Sequence, residues 1–93
     1  DGPGSAWHRV LDGDEVWCFH DGAPLELTIE SSSGVDEVTR LGPAFESGCE
    51  LQAVVPRGLW QKARSLGPWS LVSCVVGPAF VFDAFEMREQ HNG

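Results

Sequence analysis

The stretch Leu25-Glu26-Leu27-Thr28-Ile29-Glu30 alternates apolar and polar residues without a break. Successive side chains of a strand point to opposite faces, so Leu25, Leu27 and Ile29 should face a core while Glu26, Thr28 and Glu30 face water. Ser31 to Gly34 follow, three small polar residues and a glycine that can take positive φ, and residues 35–41 then read as a returning strand. The segment predicts a hairpin with one buried face.

Outward from this hairpin, turn signals recur at short intervals: Asp12-Gly13, Asp21-Gly22, Gly42-Pro43, Pro56-Arg57-Gly58, Gly67-Pro68 and Gly77-Pro78. They leave no room for long helices. Between them lie segments rich in Val, Leu, Phe, Trp and Thr at residues 7–10, 15–19, 51–55, 59–64, 69–76 and 80–86, the pattern of an all-β sandwich or barrel. Leu71 to Val76 is nearly continuous in apolar residues, as for a strand covered on both faces in mid-sheet. The polar residues 87–93 read as a frayed tail on a single domain spanning residues 1–93.

The chain has 93 residues, of which 42% are hydrophobic and 22% charged, a globular composition with room for one domain. It begins at Asp1, with apolar residues appearing within six positions, and this predicts a processed or truncated chain with part of the fold missing. Fourteen acidic residues against six basic ones give a net charge of -8, which argues against nucleic acid as a partner. No apolar run approaches the ~20 residues of a membrane-spanning helix, and no basic segment precedes an apolar one as in a secretory signal. Cys18, Cys49 and Cys74 are odd in number and widely spaced, which predicts reduced thiols and a cytoplasmic location.

Nucleophile-elbow, H-E-x-x-H, dinucleotide and phosphate-loop signatures are absent. His8 and Glu15 could meet on one sheet face, joined across residues 11–14, as a base with an orienting carboxylate, as two metal ligands, or as a polar pair without chemistry. Glu15, Trp17 and Phe19 share one face of their strand by alternation and could line a ligand cavity or be plain core. Trp60, Lys62 and Arg64 share a face of another strand. Arg64 could grip an anion, neutralise Glu15 or lie at the surface.

These residues resemble the cupins. The family's first motif is His-x-His, then Glu, then six residues and Gly; its second is Pro-x-Gly-x-x-His. His8, Glu15 and Gly22 match the first, and Pro56 and Gly58 match the second, while Val10 and Trp60 are taken as the remaining histidine positions. Trp7-His8-Arg9-Val10, Asp14-Glu15-Val16-Trp17, Gln52-Ala53-Val54-Val55-Pro56 and Gly58-Leu59-Trp60-Gln61 are similar to the "cupin five" branch, whose members are labelled predicted sugar epimerases.

The resemblance implies a double-stranded β-helix, or jelly roll, lacking its N-terminal strands here, with a small-molecule ligand between the sheets. It also implies a homodimer, or pairing with an N-terminal segment that covers an open edge. The ligand would be sugar-like or a carboxylate, with His8 and Glu15 catalytic in an isomerase or epimerase and Trp17, Phe19, Gln52, Trp60 and Arg64 contacting the ligand. Metal cupins use three His and one Glu. A divalent metal here would start from His8 and Glu15 and need His20 or Gln52 to complete its shell, Cys18 standing where relatives carry another His. The resemblance also admits a metal-dependent oxygenase or isomerase and a non-catalytic binding or assembly domain.

Overall fold

The computed structural model describes residues 6–31, 33–77 and 81–88. Among the described residues, seven strands form two antiparallel sheets: β1 (Glu15–Gly22), β2 (Leu25–Ile29), β3 (Glu37–Leu41), β4 (Gln52–Val55), β5 (Gln61–Ser65), β6 (Trp69–Val76) and β7 (Val81–Arg88). One sheet runs β4-β1-β6-β7 and the other β3-β2-β5. The expected all-β jelly-roll architecture is present, and among the described residues no helix is long and apolar enough to cross a membrane.

The deciding hairpin forms as read. Leu25, Leu27 and Ile29 are buried, and β3 pairs with β2 from Leu25 opposite Leu41 to Ile29 opposite Glu37. Gly34 at φ 88° donates to the Ser31 carbonyl at 3.1 Å, and Ser32 lies outside the described residues. β6 lies between β1 and β7, and Val72, Ser73 and Cys74 are buried in succession, as a mid-sheet strand requires. The core joins Trp17, Phe19, Val72 and Cys74 of one sheet to Leu25, Leu27, Ile29, Leu41 and Ala63 of the other, with Val55 beside them.

Three expectations change. Met87 and Arg88 belong to β7, opposite Ser70 and Trp69, so they are not part of a frayed tail; residues 89–93 and Phe80 lie outside the described residues, as does Asp1. β5 starts at Gln61, two residues later than read, because Pro56 to Leu59 close a turn in which Leu59 donates to the Pro56 carbonyl at 3.2 Å. Gly58 at φ 85° occupies the third position of that turn, which favours glycine. Residues 7–10 do not form a full strand. Only His8 pairs with β5, opposite Gln61, because the Val10 carbonyl accepts from Gly58 instead.

The motif glycine Gly22 ends β1 at φ 90°, and a Cβ there would lie 2.6 Å from the Trp69 ring. Backbone conformation and close approach both demand glycine at this position. Inward-facing serines are satisfied in turn: Ser65 and Ser70 share a 2.7 Å hydrogen bond, and Ser70 donates to the Ala23 carbonyl at 2.6 Å.

Candidate functional site

β1 is flanked by β4 and β6, so its inward residues Glu15, Trp17 and Phe19 lie under the opposite sheet. All three are buried, with Glu15 only 7% exposed. Across from them β5 turns Gln61, Ala63 and Ser65 inward. Gln61 is fully buried; its Nε2 donates to Glu15 Oε1 at 2.6 Å and its Oε1 accepts from the Trp17 indole Nε1 at 2.7 Å. A three-residue polar chain, Trp17 to Gln61 to Glu15, thus crosses from one sheet to the other. Among the described residues no buried side-chain nitrogen or oxygen lacks a hydrogen-bond partner.

His8 reaches the same place from the other side. Its N–H donates to the Gln61 carbonyl at 2.9 Å and its carbonyl accepts from the Gln61 N–H at 2.8 Å. Residues directly opposite in an antiparallel pair share a face, which sets His8 on the inward side with Gln61. Gln61 therefore stands between the two expected catalytic residues, paired through its backbone with His8 and through its amide with Glu15. This corrects the expectation that His8 and Glu15 meet on adjacent strands of one sheet with the carboxylate orienting the ring. They belong to opposite sheets, and the His8 ring is held by the Ala6 carbonyl, 3.2 Å from Nδ1.

The second motif also needs correction. Counting Pro56-x-Gly58-x-x places its last residue at Gln61, and the geometry agrees: Gln61 lies beside Glu15 while Trp60 faces out, 38% exposed, with the Arg9 guanidinium 4.8 Å from its ring centroid. Lys62 lies likewise over the Trp7 ring at 4.7 Å. Arg64 is on this outer face, paired with Glu26 at 3.0 Å and not with Glu15. Trp60 and Arg64 are thus separated from the interior site by the sheet itself.

Gln52 is exposed and lies opposite Cys18 on the outer face of the other sheet. It lines an open groove of about 610 Å³ with Ala44, Cys49, Glu50 and Leu51, which holds none of the other expected site residues. The Cys49 thiol in this groove is pushed above its ordinary pKa by desolvation and then by the Glu46 carboxylate. His20 is exposed, with Nε2 2.7 Å from Ser73 Oγ, and sits on the outer side of β1. Trp17 and Phe19 are core residues, Trp17 joining the site through its indole N–H.

The donor set does not fit a metal. His20 and Gln52 face away from Glu15, Val10 offers no lone pair, and Gln61 presents an N–H, not an oxygen, to the carboxylate. Among the described residues no three His, Cys, Asp or Glu side chains gather at cation-binding spacing.

Gln61 is the site residue that sequence reasoning passed over. Its signal is parity: it alternates with Lys62 and Arg64 and shares its face with the small residues Ala63 and Ser65.

Comparison with known proteins bears on the same residues. The family model described as Cupin_5, cupin superfamily (DUF985), matches residues 1–88. A crystal structure of a protein from Shewanella oneidensis is similar at 34% identity and a TM-score of 0.73, over 88% of this chain and 54% of that one. The chain therefore spans about half the length of that solved structure. No curated protein matches.

Proposed function

Because this chain belongs to the Cupin_5 family (DUF985) of the cupin superfamily, we propose that it binds a small, neutral, sugar-like molecule between its sheets, at Glu15 and beside His8. The supporting observation is the Glu15 carboxylate, only 7% exposed between the sheets, with one oxygen accepting from Gln61. A carboxylate has lone pairs for several donors, and a ligand hydroxyl can supply one of them. A carboxylate ligand fits less well. Arg9, Arg40, Arg57, Lys62 and Arg64 are all exposed, so none of them offsets the charge of Glu15.

His8 carries the finer reading, isomerisation. The Ala6 carbonyl only accepts, so the ring proton sits on Nδ1 and the Nε2 lone pair is left to take a proton. One base can move a proton between adjacent carbons on a single face of a sugar. Inversion at one carbon needs an acid on the opposite face as well, and the chain contains no Tyr to serve.

Calorimetric titration with neutral hexoses and the matching hexuronates tests the binding. The hexose should bind, the hexuronate at least about tenfold more weakly, and Glu15→Gln should lose about tenfold in affinity. Hexose binding unchanged in Glu15→Gln overturns the proposal. For the isomerase reading, deuterium from D2O should enter the bound sugar beside its carbonyl, and His8→Ala should abolish the exchange.

A further inference from the structure

We propose that Gln61, locked by Trp17, is the specificity-determining residue of the interior site, setting it for a neutral hydroxyl-bearing ligand and against a divalent cation. The inference rests on the reading of Glu15 as the ligand-binding group and adds how that group is tuned.

The lock follows from what each partner can do. An indole N–H donates and never accepts, so the amide end 2.7 Å from Trp17 Nε1 must be the oxygen. The other end, 2.6 Å from Glu15 Oε1, is therefore the NH2 group. Rotating the amide by half a turn would set NH2 against the indole N–H and oxygen against the carboxylate, replacing two attractions with two repulsions inside a buried cluster. Trp17 thus dictates what Gln61 shows to Glu15.

That polarity decides what the site can hold. A ligand entering beside Gln61 would meet further lone pairs of the Glu15 carboxylate and the second amide N–H of Gln61. A hydroxyl both donates and accepts, so it can use the two together. A divalent cation needs lone pairs converging on one point and would instead meet the positive hydrogens of an amide held in place. A glutamine free to turn could offer its oxygen to a cation; this one is held by an indole 1% exposed in the core.

Co2+ alone is the probe, followed by its visible d–d absorption and by calorimetry. Trp17→Phe removes the indole N–H and frees the amide to turn, so Co2+ affinity should rise at least about tenfold over the parent protein. The gain should disappear in Trp17→Phe/Glu15→Gln. Should Trp17→Phe not fold, judged by circular dichroism, Gln61→Glu serves instead: it still accepts from Trp17 but sets a second carboxylate beside Glu15, and should gain Co2+ affinity in the same way.

Parent protein that binds Co2+ through Glu15 as tightly as these variants overturns the inference, and so does a folded variant with no gain. The hexose titrations are read separately. Failed hexose binding with the Co2+ pattern intact would reject the ligand reading and keep the lock; the reverse would keep the ligand and reject the lock.

Discussion

The two faces of β5 are built from the same five residues and their neighbours, yet they are held by different physics. Inward, Gln61 makes hydrogen bonds of 2.6 and 2.7 Å in a fully buried setting. Outward, Trp60 and Lys62 take cation–ring contacts of 4.8 and 4.7 Å with Arg9 and Trp7, and Arg64 pairs with Glu26 in the open. The inner bonds cannot be replaced by water when broken, whereas the outer ones can. The inner face therefore carries the site's specificity, and the outer face contributes register, pinning residues 7–9 against β5 so that His8 falls opposite Gln61.

The comparison breaks most visibly at Gln61. Gln61→Leu is close in size but removes the amide that bonds both the Glu15 carboxylate and the Trp17 N–H in a buried setting, and should destabilise the protein by about 3 kcal/mol in urea unfolding. On the outer face, Arg9→Ala and Lys62→Ala each remove one cation from an exposed ring and should cost about 0.5–1 kcal/mol. An outer substitution as costly as Gln61→Leu would abolish the distinction between the faces.

Much of the fold could be read from alternation and turns. β2 and β6 declare themselves by period and by apolar run, and Gly22 and Gly58 fall where positive φ is required. The site was legible as far as Glu15, whose parity with Trp17 and Phe19 sets it inward.

What failed was the side of β5. Trp60, Lys62 and Arg64 do share a face, but alternation alone does not say which face is inward, and the family resemblance sets Trp60 and Arg64 at the ligand although two cations on that face argue for water. A surface tryptophan is stabilised here by Arg9, which lies fifty-one positions earlier and reaches it through the His8 to Gln61 register. Gln61 was hidden for the same reason. An amide between Trp60 and Lys62 looks like surface until its Trp17 and Glu15 partners, more than forty residues away, are in place.

The smallest effect is expected at Arg64, and it tests the outer face most directly. The Arg64 side chain is 52% exposed and Glu26 27%, so their attraction acts largely through water and is offset by the entropy of ordering two long side chains. Arg64→Gln should cost less than about 0.5 kcal/mol at low salt. Arg40 lies opposite Glu26 on the neighbouring strand and can partly take over the lost partner, which lowers the expected cost further. At ~1 M salt, where charges are screened beyond about 3 Å, the parent and Arg64→Gln should unfold at the same urea concentration. The cost of Gln61→Leu should persist under the same conditions, because its bonds lie where salt does not reach. A salt-insensitive loss at Arg64 would mean that this arginine acts through the interior site after all, and the division between the two faces of β5 would fall.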